Sequence, residues 1–151
     1  MFTYKERSYN IKFFFSSSPN LTSATLLFLR AGIGIAYLLH GYPKITGGVP
    51  VWDRLGHQME LIGINFSFVF WGFLAALSEF IGAIFLIMGF FTRLTTVLLA
   101  GTMIVASIAT LHANGDYTAF SHPAKMVIVF VALAITGAGK FSLDQIIHQK
   151  L

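Results

Sequence analysis

Long apolar runs alternate with short polar stretches along the chain. Each run is apolar almost throughout and does not alternate apolar with polar positions, so the pattern indicates helices and not strands. About 20 mostly apolar residues suffice to cross a bilayer, a length that the first two runs exceed and the last two approach. The pattern therefore predicts an all-α membrane protein, an antiparallel bundle of four transmembrane helices at about residues 21–41, 66–91, 94–111 and 123–139.

Two polar segments flank this predicted transmembrane domain of residues 21–139. Residues 1–20 combine three basic side chains with a run of three phenylalanines, which is typical of an arm that lies on the membrane surface. In the tail of residues 140–151, Ser142 precedes Gln145 at the spacing of a capping box. We expect a short amphipathic C-terminal helix there. The first connection, of about 25 residues, is long for a simple loop, and we expect it to form a lid or an interfacial helix.

Composition supports the membrane assignment and excludes several functions. Hydrophobic residues make up 56% of the chain and charged residues only 11%, against roughly a quarter in soluble domains. The net charge of +4 contains no dense basic cluster, so we expect the lipid bilayer and not nucleic acid as a partner. The chain has no cysteine, which excludes thiol chemistry and cysteine-ligated metals within it.

The basic side chains are distributed unequally between the two predicted membrane faces. Three lie on the side of the first and third loops, namely Lys44, Arg54 and Lys125. Six lie on the side of the termini and the second loop, namely Lys5, Arg7, Lys12, Arg93, Lys140 and Lys150. Basic residues favour the cytoplasmic side. The distribution predicts that both termini are cytoplasmic.

Two charges fall inside the predicted spans. Arg30 lies nine residues after Leu21 and Glu79 eleven residues before Phe90, depths of about 13 and 16 Å at 1.5 Å per residue. An unpaired charge at that depth costs at least about 2.5 kcal/mol. Pairing across antiparallel helices avoids this cost, so we predict an intramembrane ion pair between Arg30 and Glu79. The pair is either architectural or part of a proton or substrate site.

A polar cluster is predicted at the outer membrane face, the face opposite the termini. There the first helix ends in the sequence HGYPK. His40 and Lys44 are four residues apart and share a helix face. The candidate site there comprises Tyr37, His40, Lys44, His112, His122 and Lys125.

Three interpretations of this cluster remain open. A metal site would use the imidazoles, but no paired histidine spacing supports one. A quinone headgroup site needs hydrogen-bond donors, a titratable group and an apolar slot, which these residue types supply. Alternatively, these are ordinary interfacial residues, with Tyr42 and Trp52 as aromatic anchors. We interpret the aromatic residues that open the second span, including Trp71, as an interfacial belt.

Three stretches resemble the DoxX family of small four-helix bacterial membrane proteins. They are LRAGIGIAYLLHGYPKI (29–45), EFIGAIFLIMGFFTRLTTVLLAGTMIVA (79–106) and GAGKFSLDQ (137–145). They resemble the arginine helix of that family with its HGxxK-like turn, its glutamate helix with a GxxTR turn, and its terminal SLD signature. The family pattern carries over Arg30, His40, Gly41, Lys44, Glu79, Arg93, Ser142 and Asp144.

The resemblance implies an inner-membrane protein, and some relatives are regarded as subunits linked to quinone-coupled oxidation. The expected function is thus a subunit of, or partner for, a quinone-linked oxidoreductase, with quinone as the cofactor. The alternative is a non-enzymatic scaffold or a small-molecule permeation unit, and a homo-oligomer is compatible with either. No nucleotide loop, haem-attachment motif or iron–sulfur motif is present in the sequence. We therefore do not expect the chain alone to be a complete oxidoreductase.

Overall fold

The computed structural model describes residues 18–114 and 117–150, and within them the chain is helical without strands. The α-helices are α1 (Pro19–Thr46), α2 (Gly48–Gly56), α3 (Phe68–Met88), α4 (Thr92–Asn114), α5 (Tyr117–Thr136) and α6 (Leu143–His148), with a 3-10 helix at His57–Ile62. Four of them, α1, α3, α4 and α5, are long and apolar enough to cross a membrane. The predicted four-helix membrane fold with a short C-terminal helix is confirmed. Most of the predicted N-terminal arm, residues 1–17, lies outside the described residues.

Two prolines lie inside helices at places where the predicted spans end or begin. α1 continues through Pro43 to Thr46, and its last turn closes with the Gly47 amide donating to the Pro43 carbonyl at 3.1 Å. α5 begins at Tyr117, so Pro123 lies inside it and not at its first position. A proline six residues into a helix removes one hydrogen bond of the ladder, and its ring crowds the carbonyl four residues earlier.

α1 and α3 pack closely through small residues. A Cβ atom at Gly41 would lie 2.8 Å from the Phe80 amide nitrogen, and one at Gly34 would lie 2.5 Å from Ile87 Cγ1. Any larger side chain at these positions would push the helices apart. Small residues favour such close contact in lipid, where apolar burial alone does not distinguish a partner helix from solvent.

The long first connection folds back onto the start of α3 as α2 and the 3-10 helix. A Cβ atom at Gly72 would collide with the Trp52 backbone, and one at Gly56 with the Phe68 backbone. The Trp52 indole N–H also donates to the Lys44 carbonyl at 3.0 Å. This connection therefore covers one end of the bundle, which we call the α2 end.

The opposite end of the bundle is closed by the C-terminal segment, and we call it the α6 end. Ser142 caps α6 and accepts a hydrogen bond from the Gln145 amide at 3.2 Å, as the capping-box spacing predicts. The Asp144 carboxylate accepts from the amides of Phe91 and Thr92, at 2.7 and 2.9 Å. It thereby caps the first turn of α4, where a negative charge also interacts favourably with the helix dipole.

Candidate functional site

Glu79 is paired with Lys44 and not with Arg30. The Lys44 ammonium lies 2.7 Å from Oε1 and 2.5 Å from Oε2 of Glu79. The Glu79 side chain is only 4% exposed and that of Lys44 is 30% exposed. The predicted Arg30–Glu79 ion pair is thus wrong, because α1 extends beyond Gly41 and brings Lys44 over α3.

Arg30 instead binds backbone carbonyl groups near the α6 end. Its two terminal nitrogens donate to the carbonyls of Leu86, at 3.4 Å, and of Phe141, at 2.7 Å. The side chain is completely buried. The depth estimate failed because it counted both charges from helix ends assumed to be level. The first turns of α1 extend past the end of α3 and contact the C-terminal segment, where the Lys140 amide donates to Ser23 Oγ at 3.4 Å.

The Lys44–Glu79 pair lies in the wall of a cavity of about 360 Å³ at the α2 end. Helices α3 and α4 form its sides, and α2 with the 3-10 helix covers it. We call it the α3–α4 cavity. Its lining is mostly apolar and includes Leu55, Met59, Leu74, Val105 and Ala106. Its volume lies within the range of small-molecule sites, roughly 300–1,000 Å³.

One buried hydrogen-bond donor among the lining residues has no partner in the described part of the chain. The indole nitrogen of Trp71 is buried and makes no hydrogen bond within the described chain. In contrast, the Ser78 hydroxyl, also in the lining, donates to the Leu74 carbonyl at 2.7 Å. A buried donor without an acceptor costs about 1–3 kcal/mol. Trp71 is one of the residues that line the α3–α4 cavity.

An apolar groove extends from the cavity towards the α6 end. It has a volume of about 170 Å³ and shares Leu74, Ser78 and Leu98 with the α3–α4 cavity. It ends at Phe91, just before α4, and at Leu94 in the first turn of α4. Leu98 and Leu94 are exposed on the outside of the bundle, so a long apolar molecule could reach the groove from the bilayer.

The predicted cluster of Tyr37, His40, Lys44, His112, His122 and Lys125 is not brought together as one site. The rings of His40 and His122 lie 6.3 Å apart on the exposed surfaces of α1 and α5. The Tyr37 ring lies 6.4 Å from that of His40, but it is buried against Phe130 at 5.0 Å.

The other members of the cluster lie elsewhere. His112 borders a shallow pocket of about 500 Å³ together with Arg54 and His57. Lys125 is exposed. Of the six predicted residues, only Lys44 lines the α3–α4 cavity. Among the described residues, no group of three or more histidine, aspartate or glutamate side chains could hold a metal ion.

Sequence reasoning missed Trp71 and Gly101 as residues of the cavity. Trp71 was assigned to an interfacial belt, since the sequence does not show that its N–H group lacks an acceptor. Gly101 lines the cavity, and a Cβ atom there would have no heavy atom within 4 Å. A glycine beside open space gives no signal in the sequence beyond the residue itself.

Comparisons with known proteins agree with this fold. The DoxX family model matches residues 25–113, which include the paired Lys44 and Glu79 as well as Arg30. The chain is also 29% identical over 136 residues to the inner membrane protein YqjF of Escherichia coli strain K12, a match that covers 86% of this chain and 97% of that protein. No solved structure matches. The family model spans more than half of the chain and the structure has the four membrane-spanning helices, so the protein is a member of the DoxX family.

Proposed function

We propose that this protein is an inner-membrane subunit of, or partner for, a quinone-linked oxidoreductase, and that it binds the quinone headgroup in the α3–α4 cavity. The observation that carries the proposal is the unpartnered indole N–H of Trp71, a residue that lines a mostly apolar cavity together with the Lys44–Glu79 pair. The cavity thus replaces the outer histidines as the candidate site, and Lys44 belongs to both.

The polar groups of the cavity match a ring that carries carbonyl oxygens. The Trp71 indole and the Lys44 ammonium are donors, and a quinone carbonyl is an acceptor without a proton of its own. Glu79, 2.5–2.7 Å from the Lys44 ammonium, keeps that ammonium at the cavity wall. Lys44 is 30% exposed, so it can reach both Glu79 and a bound ring. A few convergent polar groups in an apolar pocket are the usual design of a small-molecule site.

The apolar groove provides a place for the tail of a quinone. A quinone of a respiratory membrane carries an isoprenoid tail, and the groove leads from the cavity along α3 and α4 to Phe91 and Leu94. Exposed Leu94 and Leu98 lie at its edge. The tail could therefore enter sideways from the bilayer without passage through water.

Bound quinone would supply two-electron redox chemistry, while this chain's own residues bind and orient the ring. The sequence contains no haem-attachment, nucleotide or iron–sulfur motif, so the electrons come from another subunit. With both termini in the cytoplasm, the cavity would lie in the outer half of the membrane. The name of the E. coli relative supports the inner membrane as the location.

The scaffold alternative explains part of the same structure. A buried ion pair between α1 and α3 fixes their register, whatever else the protein does. However, a scaffold gives no role to an unpartnered indole N–H at a cavity. The test below separates the two, because a scaffold binds no quinone at this position.

Binding of ubiquinone-1 to the purified full-length protein in mild detergent tests the site. Gly101→Leu places a side chain in the open space of the cavity, and we expect it to weaken binding at least about tenfold, because the ring and the leucine would overlap. Trp71→Phe removes one donor, and we expect a loss of about fivefold to tenfold. Isothermal titration calorimetry measures both.

Gly32→Leu is the matched control. Gly32 is also an exposed helical glycine with no heavy atom within 4 Å of a Cβ position, but it lies on α1 and does not line the cavity. This variant should bind ubiquinone-1 as the unmodified protein does. Equal affinity of all the variants would refute the site. Extraction from native membranes, with identification of co-purifying proteins, tests the partner: a redox enzyme supports the subunit role, and a lone protein favours the scaffold.

A further inference from the structure

A second cavity lies at the α6 end, remote from the polar groups of the α3–α4 cavity. It has a volume of about 590 Å³ and lies between α6, the segment of residues 137–140 and the first turn of α4. We call it the α6 pocket. Arg93 and Lys140 line it and are exposed. Neither forms an ion pair with any other residue in the described ranges, and the Lys140 ammonium donates only to the neutral Asn20 Oδ1, at 3.2 Å.

The acidic group in the pocket is already engaged. Both carboxylate oxygens of Asp144 accept backbone amides, those of Phe91 and Thr92. Asp144 also lies near enough to Arg30 for their opposite charges to attract each other. Arg93 and Lys140 outnumber this one carboxylate, so the pocket lining carries a net positive charge.

A buried hydroxyl group in the pocket lining also lacks a partner. Thr92 is fully buried, and its Oγ1 makes no hydrogen bond within residues 18–114 and 117–150. It lies in the first turn of α4, next to the amides that Asp144 caps. This hydroxyl is an independent sign that the pocket receives a hydrogen-bonding ligand, because buried polar groups are rarely unsatisfied.

Apolar side chains border the same pocket. Phe91 and Leu94 line it and are 57% and 58% exposed. Ile146 and Ile147 of the adjacent α6 are exposed as well. The pocket therefore has cations and an unpartnered hydroxyl on one side and an apolar surface on the other. The headgroup level of a membrane presents the same combination of charge and apolar surface.

We propose that the α6 pocket binds a phosphate group at the membrane surface. Arg93 and Lys140 supply the charge, and the Thr92 hydroxyl supplies a hydrogen bond. The phosphate belongs to an anionic phospholipid headgroup, whose chains would lie against Phe91 and Leu94, or to free phosphate. The site uses different polar residues from the α3–α4 cavity and does not depend on the proposed quinone function.

The experiment measures binding of three probes to the purified full-length protein in detergent by native mass spectrometry. The probes are dioctanoyl phosphatidylglycerol, dioctanoyl phosphatidylcholine and inorganic phosphate. The double variant Arg93→Gln/Lys140→Gln should weaken phosphatidylglycerol binding at least about tenfold, because each cation near a membrane surface adds to the attraction. Lys125→Gln, which removes an exposed lysine at the α2 end, is the control and should change nothing.

Thr92→Val separates binding from folding. Valine has nearly the same shape, and removal of an unpartnered buried hydroxyl should leave thermal stability equal or higher. We expect weaker phosphatidylglycerol binding at undiminished stability. Displacement by inorganic phosphate would assign the site to phosphate itself, whereas no displacement together with preference for phosphatidylglycerol over phosphatidylcholine would assign it to a lipid headgroup. Equal binding of all three probes, or equal effects of the double variant and Lys125→Gln, would overturn the proposal.

Discussion

The carboxylate of Glu79 is a buried charge within an apolar bundle. Its side chain is 4% exposed, and Lys44 is the cation that neutralises it. Removal of one member of such a pair leaves the other charge desolvated and uncompensated, which is costlier than loss of the pair. The interaction therefore contributes more to the relative positions of α1 and α3 than an ion pair at a solvated surface would.

Lys44→Met should destabilise the protein by about 1–3 kcal/mol. The estimate lies below the range for a fully buried pair because the Lys44 side chain is 30% exposed. The double variant Lys44→Met/Glu79→Gln should be more stable than the single variant, since the unpaired carboxylate is gone. SDS titration in mixed micelles measures the free energy of unfolding. Lys125→Met, at an exposed lysine of the same end, is the control and should lie within about 0.5 kcal/mol of the unmodified protein.

The identity of the charged partners could not be derived from sequence spacing. Depths counted from the predicted helix ends place Arg30 and Glu79 at the same level, whereas α1 and α3 overlap only in part. The predicted span ends at residue 41, which places Lys44 in the polar cluster at the membrane face and not beside Glu79. Lys44 reaches Glu79 because α1 continues to Thr46 and packs against α3. The spacing of residues in the sequence does not show this packing.

Among the elements, α6 is a helix of six residues held by contacts beyond itself. The Asp144 carboxylate caps α4, and the Asp144 amide donates to the Gly89 carbonyl at 3.0 Å. Arg30 donates a hydrogen bond to the carbonyl of Phe141, two residues before α6 begins. The capping box predicted the existence of this helix, but not its attachment to the α3–α4 turn, which depends on contacts over 50 residues apart in the chain.

Asp144→Ala should release α6 without loss of the membrane spans. The variant removes two hydrogen bonds to backbone amides and a favourable charge at a helix N-terminus, and we expect local destabilisation of about 0.5–2 kcal/mol. Hydrogen exchange followed by mass spectrometry should show faster exchange in residues 139–150 and at the start of α4 only. Gln149→Ala, at an exposed position just after α6, should leave the exchange pattern unchanged. Faster exchange throughout α1 and α3 would contradict the local role.

At the scale of the whole molecule, the apolar runs predicted the four-helix bundle because burial in lipid demands length and low polarity, and both can be counted in a sequence. The α3–α4 cavity could not be predicted from the length and polarity of sequence segments. It arises where α2, the 3-10 helix, α3 and α4 converge without filling the space beside Gly101. Its donors belong to separate elements, and only the folded chain shows that Trp71 has no acceptor.

The orientation of the bundle decides which of the two cavities adjoins the cytoplasm and which adjoins the outer face of the membrane. With six basic residues on the terminal side and three on the other, we predict a cytoplasmic α6 end and an outward-facing α2 end. The absence of cysteine from the chain permits labelling at single introduced thiols without background. In spheroplasts, a membrane-impermeant maleimide should modify Asn65→Cys, in the exposed loop before α3, and should modify Gln149→Cys only after lysis. The opposite labelling pattern would invert the bundle, so that the α3–α4 cavity would adjoin the cytoplasm and any partner at its mouth would have to be a cytoplasmic one.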